Sequence, residues 1–449
     1  MKSNPDLSKL PETLTSVMSS PGKVTVVGSL NVDLTARVEE FPAPGETVPA
    51  SDLTFGPGGK SSNQAVAASK IGASVAMVGA VGHDAYGSFV QRSLEDVGVD
   101  TSRVVARDLP TGTALITVNA GGENTIVYSA GANQSVSRAD LQAASDIVQS
   151  SDVVALGFES PASVVAAAID VARFVAHANT EMGAHSNTEM GGHSNTGTSV
   201  PMSAKLIANA NEYDVPPKQR NHRGDAWEMR RSPQIILNYS PIIDVDPGLI
   251  RGVDIVVVNE IELRALGERY GSAQLPMRGR RESASVVDSM ADDRVDAKPA
   301  DVTAPNATDG TVKEDGIDKN ELFAIAKRIV AVLGLRGLIV TLGPEGCFAV
   351  ESEDPSGSGD VVPPSDANPT DGAPTANGVY IQGYPVDAVD STGCGDCFMG
   401  TVAAAIASGR GLVDSARLAT FVASRAATKQ GAQSSYFLAD ELINQLKRQ

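Results

Sequence analysis

The chain has 449 residues and a formal net charge of −18, a balance that argues against a nucleic-acid or anionic-membrane partner. Hydrophobic residues make up 42% of it, enough for a large core, but no run approaches the roughly 18 apolar residues of a membrane-spanning helix. The 3 cysteines, an odd and low number, argue against a disulfide framework and favour a reducing compartment such as the cytoplasm.

The first 22 residues are polar and lack an apolar signal core, which predicts a disordered tail before a domain that spans residues 23–449. From residue 23 onward, short runs of β-branched residues alternate with helical patterns. In the first half of the chain these predict strands over 23–30, 74–82 and 152–157, and helices over 62–72, 86–99 and 160–176.

The same alternation continues in the second half of the chain. The patterns there predict strands over 254–259 and 337–343, and helices from 260, over 319–334, and near 395–408, 411–429 and 438–447. Strands that alternate with helices indicate an α/β fold: a doubly wound, mostly parallel sheet covered by helices on both faces.

Two segments interrupt this alternation with strand patterns joined by Gly/Pro turns. They are residues 34–55 and 111–131, and the second is typical of a hairpin whose turn lies at residues 119–124. Because neither segment contains a helical pattern, we expect them to form a small antiparallel sheet that projects from the α/β body as a lid.

Three polar segments, near residues 177–234, 271–318 and 352–378, lack an apolar period and have the composition of disordered insertions. The first contains an eight-residue repeat that places histidines at 177, 185 and 193. This spacing in a Gly/Asn/Thr tract matches no ordered ligand geometry, so it favours a solvated loop over a metal site.

Two motifs in the first 65 residues are candidates for ligand binding. "GPGGKSSNQA" (56–65) is a Gly-rich turn that leads into a helix, where backbone N–H groups can face a polar ligand, although it does not fit the Walker A frame. "GSLNVD" (28–33) places Asn31 and Asp33 just after the first strand, where ligands bind in open α/β sheets. The pair fits either adjacent hydroxyls of a polyol or the capping of a turn.

The stretch "DSTGCGDCF" (390–398) allows two interpretations. Consecutive N–H groups at the start of a helix can form a nest for a phosphoryl group, with Asp396 placed to accept a proton from an attacking hydroxyl. Cys394 and Cys397 form a C-x-x-C, which is typical of a thiol redox pair or half a zinc site. A zinc site would need two further ligands, and only Cys347 remains.

Many ordered motifs together resemble the ribokinase branch of the PfkB carbohydrate kinase family. They are "VVGSLNVDLTARVEEFPAPGETV", "GGKSSNQAVAASKIGA", "AGANQSVS", "LGFESP", "LNYSP", "VVNEIE", "VTLGPEG", "DSTGCGDCFMG" and "TKQGAQSS". The resemblance runs from about residue 23 to 447 and is interrupted by the three insertions. It implies a ribokinase-like fold and ATP-dependent phosphorylation of D-ribose at its 5-hydroxyl to give D-ribose 5-phosphate and ADP.

The resemblance also implies roles for individual residues on the sugar side. Asp396 is the expected catalytic base, and the expected anion hole is formed by Gly393, Cys394, Gly395 and Asp396. The residues expected to contact the sugar are Asn31, Val32, Asp33, Gly58, Gly59, Lys60, Ser61, Ser62, Asn63, Glu159 and Asp396.

On the nucleotide side, the resemblance implies an ATP site and two cation sites. The residues expected to contact ATP are Asn238, Thr341, Leu342, Gly343, Pro344, Glu345, Gly346, Gly395, Asp396 and Thr420. Asn259 and Glu262 are expected to organise Mg²⁺ indirectly. An activating K⁺ is expected at Asp390, Thr392, Ala426, Lys429, Gly431 and Ser435.

The sequence departs from the family pattern in two motifs. Cys394 and Cys397 replace small residues around the usual G-A-G-D turn, and Ser61 and Ser62 replace the usual G-A after Lys60. The alternatives left open are another kinase of this family, acting on deoxyribose, fructose or adenosine, a sugar-binding regulator without activity, and a thiol redox protein. The family's lid often pairs between subunits, which implies a homodimer.

Overall fold

The computed structural model describes residues 7–184, 232–270, 318–353 and 376–448, and only the backbone for 175–184. Most of the three predicted insertions lies outside these residues, as do the side chains of the repeated histidines. Within the described residues, no helix has both the length and the apolar character needed to cross a bilayer.

The described part of the chain contains 13 strands in two sheets. Their bounds are β1 (Lys23–Val27), β2 (Asn31–Arg37), β3 (Asp52–Gly58), β4 (Ser74–Gly82), β5 (Asp100–Arg107), β6 (Gly112–Val118), β7 (Asn124–Ser129), β8 (Val153–Gly157), β9 (Gln234–Asn238), β10 (Ile255–Asn259), β11 (Gly337–Thr341), β12 (Gly346–Ser352) and β13 (Ala376–Gln382).

Nine strands form the main sheet in the order β13-β12-β11-β10-β9-β8-β1-β4-β5. From β11 to β5 every neighbouring pair is parallel, and the β12–β13 hairpin adds an antiparallel edge next to β11. This arrangement confirms the predicted mostly parallel sheet.

Twelve α-helices accompany the strands in the described residues. Their bounds are α1 (Leu10–Ser19), α2 (Lys60–Ile71), α3 (Ala85–Glu95), α4 (Arg138–Ala143), α5 (Ser145–Ser150), α6 (Ala162–Ala184), α7 (Pro247–Arg251), α8 (Glu260–Tyr270), α9 (Lys319–Leu333), α10 (Cys394–Ala407), α11 (Leu412–Ala426) and α12 (Ala439–Leu446).

The helices cover both faces of the sheet and enclose two apolar cores. Helices α1, α2, α3, α10, α11 and α12 pack on one face, and α4 to α9 pack on the other. Side chains alternate between the two cores along each strand, as Val24 and Val26 of β1 enter the first core and Val27 the second. Burial on both faces explains why the central strands are continuous apolar runs.

The second sheet is the predicted lid, in the order β3-β2-β6-β7. It consists of two antiparallel pairs, β2 with β3 and β6 with β7, which are joined by a parallel pairing of β2 with β6. The predicted turn at residues 119–124 is confirmed, because β6 ends at Val118 and β7 begins at Asn124. The lid begins at Asn31, three residues before the predicted start at residue 34, so the candidate sugar residues Asn31 and Asp33 lie on the lid itself.

Several predicted boundaries change. The helix predicted over 86–99 ends at Glu95, because the chain turns at Gly98 (φ +82°) to enter β5, which was not predicted. Helix α6 continues to Ala184, and β13 begins at Ala376, so both enter segments that were predicted as insertions. Strands β9 and β13 and helices α4, α5 and α7 were also not predicted.

The prediction of a disordered tail over residues 1–22 is wrong from residue 10 onward, where α1 forms. Pro11 lies in the first turn, where the missing N–H costs nothing, and Leu10, Leu14 and Val17 share one face at helical spacing. These three side chains are buried in the core beside α11 and α12. The burial of that face stabilises the helix, although the polar composition of the segment had indicated disorder.

Candidate active site

Polar residues lie at or just after the carboxyl ends of four adjacent parallel strands, and so they share one end of the sheet. Glu159 follows β8, Asn238 ends β9, Asn259 ends β10 and Thr341 ends β11. The strand register aligns these ends, since Gly157 of β8 pairs with Asn238 and Asn259 pairs with Thr341. Open α/β sheets bind ligands at this edge, and the structure therefore gathers the predicted residues there.

Asp396 lies in the first turn of α10 and is only 7% exposed. Its carboxylate accepts hydrogen bonds from two consecutive residues of α2, at 2.9 Å from Asn63 Nδ2 and 3.4 Å from Gln64 Nε2. Burial raises the pKa of Asp396 to about 6, with a further rise from negative Glu159, against the opposing effects of Lys60 and the two amides. The group is therefore a base that titrates near neutral pH.

Two further carboxylates face Asp396 across the same space. Burial raises the pKa of Asp33 to about 6, and the negative charges of Glu159 and Asp396 add to the effect. Glu159 Oε2 accepts hydrogen bonds from Ser29 Oγ at 2.5 Å and from the Lys60 backbone N–H at 3.0 Å. Three acidic side chains around one space provide acceptors for a ligand with several hydroxyl donors, and the Lys60 charge lies close enough to affect Asp396.

Asn31 is held by Asn133, a residue that was not predicted to belong to the site. Its Oδ1 accepts a hydrogen bond from Asn133 Nδ2 at 2.7 Å, and Asn133 Oδ1 accepts one from the Leu30 N–H at 2.9 Å. Burial, followed by the charge of Glu159, raises the pKa of Tyr128 on β7 to about 12, and the two asparagines oppose this shift. The motif "AGANQSVS" contains Asn133, but nothing in its spacing relates it to Asn31, which lies 102 residues away.

Not all predicted sugar residues offer their side chains to this space. Val32 is fully buried in the apolar core, and Ser61 and Ser62 are buried in the first turn of α2. Gly58 faces the Asp33 carboxylate so closely that a Cβ there would overlap with it. Gly58 and Gly59 can therefore contribute only backbone atoms to the site. Gly59 precedes α2 with a φ of +91°, a conformation that glycine adopts without strain.

Only part of the turn before α10 has the geometry of an anion site. Gly393 adopts a left-handed conformation (φ +71°), and its carbonyl accepts a hydrogen bond from Tyr436 Oη at 2.8 Å. The Cys394 N–H donates to the Ser391 carbonyl at 3.1 Å, so this predicted donor is already used. Gly395 and Asp396 occupy first-turn positions, where N–H groups have no intrahelical acceptor. A Cβ on Gly395 would meet nothing within 4 Å, so the space before it is open.

The thiols do not have the properties of a redox pair. Burial, followed by the negative charges of Asp390 and Asp396, raises the pKa of Cys394 to about 11. Cys397 is 1% exposed, and burial raises its pKa well above the usual range. Reactive cysteines need lowered pKa values, which these environments do not provide. Among the residues that the structure describes, no cluster of three or more His, Cys, Asp or Glu side chains could hold a metal.

The predicted ATP residues lie around the ends of β11 and β12 and on α11. A 3₁₀ turn at Gly343–Glu345 joins the two strands, and Lys319 Nζ donates to Glu345 at 3.0 Å. Thr341 Oγ1 donates to the Val258 carbonyl at 3.3 Å, and Thr420 Oγ1 donates to the Ala416 carbonyl at 2.8 Å. Both hydroxyl protons are thus committed to backbone. The Thr341 oxygen remains an acceptor, whereas the Thr420 oxygen lies 3.3 Å from Cys347 Sγ and accepts from that thiol. The Leu342 side chain is 5% exposed and belongs to the core.

Asn259 and Glu262 form a reciprocal pair at the start of α8. The Asn259 N–H donates to Glu262 Oε2 and the Glu262 N–H donates to Asn259 Oδ1, each at 2.8 Å. Burial raises the pKa of Glu262, while the Asn259 hydrogen bond and the charge of Lys60 oppose this shift. Both side chains offer oxygen atoms, which are the ligands that Mg²⁺ and its waters prefer.

Three of the residues predicted to hold a monovalent cation, Asp390, Thr392 and Gly431, come together beside the α10 turn. Asp390 accepts hydrogen bonds from the Thr392 and Gly431 N–H groups, each at 2.9 Å. Although partial burial raises the pKa of Asp390, these hydrogen bonds lower it below its usual value, so the side chain is ionised. An anionic carboxylate oxygen is a ligand that can hold a cation. Lys429 stacks over Phe437 at 3.5 Å from the ring centroid, which leaves only its backbone for such a role.

Comparison with known proteins gives a family and a fold. The model of the pfkB family carbohydrate kinases matches residues 22–182 and 298–437, more than half of the chain. A ribokinase from Haemophilus influenzae is 35% identical over 152 residues, 33% of this chain and 49% of the relative. A deoxyribokinase from Salmonella typhi is 35% identical over 150 residues, 33% of this chain and 48% of the relative. These alignments span about half the length of the curated relatives.

Solved structures extend the similarity of the fold over most of the chain. The structure of Arabidopsis thaliana ribokinase complexed with ribose and ATP matches with a TM-score of 0.60 at 20% identity, covering 95% of this chain and 99% of the other. The predicted ribokinase-like fold is confirmed.

The two glycines that flank Cys394 provide a matched pair of substitutions. Gly393→Ala should destabilise the protein by about 1–3 kcal/mol, because it places a Cβ in a left-handed conformation, 2.6 Å from Tyr436 Oη. Gly395→Ala should leave the free energy of unfolding unchanged within about 0.5 kcal/mol, because the added Cβ meets only open space. Urea denaturation of both variants measures the difference, and equal loss of stability would contradict this account of the turn.

Proposed function

Because the chain belongs to the pfkB family of carbohydrate kinases, we propose that it is a ribokinase, which transfers the γ-phosphoryl group of ATP to the 5-hydroxyl of D-ribose. The products are D-ribose 5-phosphate and ADP. The observation that carries this proposal is a buried carboxylate, Asp396, with a pKa near neutrality, which lies beside the open first turn of α10 and faces the acceptors of Asp33 and Glu159.

In the proposed reaction, Asp396 accepts the proton of the sugar's primary hydroxyl. That oxygen forms a bond to the γ-phosphorus while the bond from the γ-phosphorus to the β,γ-bridging oxygen breaks and ADP leaves. The Gly395 and Asp396 N–H groups donate to the equatorial oxygens of the transferring group, and the α10 dipole favours their negative charge. Asn31, Asp33, Lys60, Asn63 and Glu159 hold the sugar so that its hydroxyl faces the phosphorus.

Two cations belong to the proposal. Mg²⁺, when bound, neutralises charge on the ATP phosphates, and Asn259 and Glu262 are the residues that would hold its waters. K⁺, when bound, supplies a fixed positive charge beside the α10 turn. Asp390 and the carbonyls of the segments around it would hold K⁺, and the Asp390 hydrogen bonds to Thr392 and Gly431 connect that position with the turn.

Deoxyribose is the second candidate acceptor, because a deoxyribokinase aligns as well as some ribokinases do. The two sugars differ by one hydroxyl, so the acceptors that surround the candidate site decide between them. A site built to hydrogen-bond a hydroxyl leaves a buried polar group unpaired when that hydroxyl is missing, which costs about 1–3 kcal/mol. We therefore expect ribose to be preferred over deoxyribose.

We extend the proposal to a homodimer through the lid. Phe55, Leu34, Leu115 and Val127 are aligned in register across all four lid strands, and three of them expose more than half of their surface: Phe55 65%, Leu115 52% and Val127 67%. An apolar row of this kind is typical of an interface.

Sedimentation velocity tests the dimer. The wild type should be a dimer and Leu115→Asp a monomer. The control is Thr117→Asp, which introduces the same charge at the next position on the same face of β6 and should shift the equilibrium less.

A panel of acceptors tests the activity. With ATP and Mg²⁺, ribose should give the highest kcat/KM, about 10- to 100-fold above 2-deoxyribose, fructose and adenosine, in line with the cost of about 1–3 kcal/mol for an unpaired hydroxyl partner. Each assay is run with K⁺ and in a Tris buffer without it, and K⁺ should raise the rate. Equal kcat/KM for ribose and adenosine would exclude ribokinase, and a rate independent of K⁺ would exclude the proposed cation site.

Substitution of Asp396 and of the two neighbouring cysteines separates base catalysis from sulfur chemistry. Asp396→Asn should lower kcat by about 10²–10⁴-fold, because the general base is lost, while calorimetry still detects ribose binding. Cys394→Ala and Cys397→Ala keep the backbone N–H groups and should stay within about tenfold of wild type. An active Asp396→Asn with an inactive double cysteine variant would overturn the mechanism.

The pH dependence of the wild type gives a second test. Its kcat/KM should fall as the pH drops below about 6, because Asp396 is then protonated.

A further inference from the structure

Gln433 belongs to the loop after α11 and is buried, although it lies far from the other site residues in sequence. Its Nε2 donates two hydrogen bonds into the first turn of α2, at 2.9 Å to Ser62 Oγ and 3.0 Å to Asn63 Oδ1. Asn63 in turn donates from Nδ2 to Asp396 Oδ2 at 2.9 Å. A continuous chain of hydrogen bonds therefore connects Gln433 to the Asp396 carboxylate.

This chain fixes which way the Asn63 amide points. With Oδ1 towards Gln433 and Nδ2 towards Asp396, both contacts pair a donor with an acceptor. If the amide were reversed, its oxygen would face the Asp396 carboxylate and its nitrogen would face the Gln433 amide nitrogen, so both contacts would be repulsive. Because the Gln433 nitrogen can only donate, it selects the orientation in which Asn63 donates to Asp396.

Gln433 is itself held in place by the same helix that carries Asn63. Lys70 Nζ, two turns further along α2, donates to the Gln433 and Tyr436 carbonyls, each at 2.9 Å. Tyr436 Oη donates to the Gly393 carbonyl in the turn before α10. The loop around Gln433 thus spans from α2 to the turn before Asp396, and its position is coupled to both.

We propose that Gln433 is a positioning residue, which orients the Asn63 amide so that Asp396 keeps the geometry and the ionisation of a general base. The inference rests on the proposed kinase function of Asp396, but its physical content, the state of the carboxylate, does not depend on substrate identity. The charged and titratable groups that face Asp396 are Lys60, Glu159 and Asp33, with Cys394, Cys397 and Tyr436 beside it. None of these lies between Gln433 and Asn63, so a change at Gln433 acts through the amide.

The test compares Gln433→Met, which keeps the length of the side chain but removes the donor, with Gln430→Met on the exposed part of the same loop. Loss of the orienting donor should lower kcat about tenfold at pH 8, with KM for ribose changed by less than about threefold. The acid limb of the kcat/KM profile should move up by about one pH unit, since the carboxylate loses a donor that favours its charged form. Gln430→Met should match the wild type in all three quantities.

A direct measurement separates this inference from the kinase proposal. In protein labelled with ¹³C at the aspartate carboxyl carbons, the Asp396 signal is the one absent from Asp396→Asn, and its titration gives the pKa without any substrate. Gln433→Met should raise that pKa by about one unit. If the wild type phosphorylates no sugar, the kinase proposal fails, and the titration still decides the role of Gln433.

Two further variants guard against a merely structural effect. In an Asn63→Ala background, Gln433→Met should produce no additional change in kcat or in the Asp396 pKa, because the relay is already broken. If Gln433→Met does not fold, Gln433→Asn, which is polar but one methylene shorter, replaces it. Full additivity of the two substitutions, or an unchanged Asp396 pKa in the Gln433 variant, would overturn the proposal.

Discussion

A carboxylate removed from water at the start of α10 is the constraint on which the surrounding structure depends. Burial alone would favour the neutral acid, which could not take a proton from a hydroxyl. The two amides of α2, the positive end of α10 and the charge of Lys60 oppose that effect, and the pKa settles at about 6. These groups can act only because α2 and α10 pack closely. Gly400 permits this approach, since a Cβ there would overlap with the Gln64 backbone carbonyl.

The strands that were easiest to predict from the sequence are those buried on both faces of the sheet. Strands β1, β4, β8, β10 and β11 lie inside the sheet, so both faces need apolar residues and the runs are continuous. Strand β9 lies among them but was not predicted, because its apolar run is only three residues long, 235–237. Strand β13 lies at the edge and is buried at only two of its seven positions, and a polar segment precedes it in the sequence. Helix α1 has only four apolar side chains in ten residues, Leu10, Leu14, Val17 and Met18, so its pattern became evident only with the packing partners α11 and α12.

The predicted site residues came from motifs, whereas those that were missed are connected only through space. Asp396, Asn63 and Glu159 each stand in a local pattern with a chemical meaning. Asn133 and Gln433 make their contacts across 102 and 370 residues, and no local spacing relates them to Asn31 or Asn63. For Cys394 and Cys397, by contrast, a local pattern was present but misleading. The spacing suggested redox chemistry, but burial and neighbouring carboxylates favour the protonated thiol, which only the fold could reveal.

The direction of the strands decides where additional chain can leave the body. The β12–β13 connection departs from Ser352, which pairs with Ala376 and whose N–H donates to the carbonyl of Arg336 just before β11. That is the amino end of β11, opposite the edge that carries Thr341 and the candidate site. The segment between α6 and β9 likewise rejoins the sheet at the amino end of β9. The candidate site therefore imposes no direct steric restraint at these two points, so chain can be added there while the end of the sheet that carries the site keeps its shape.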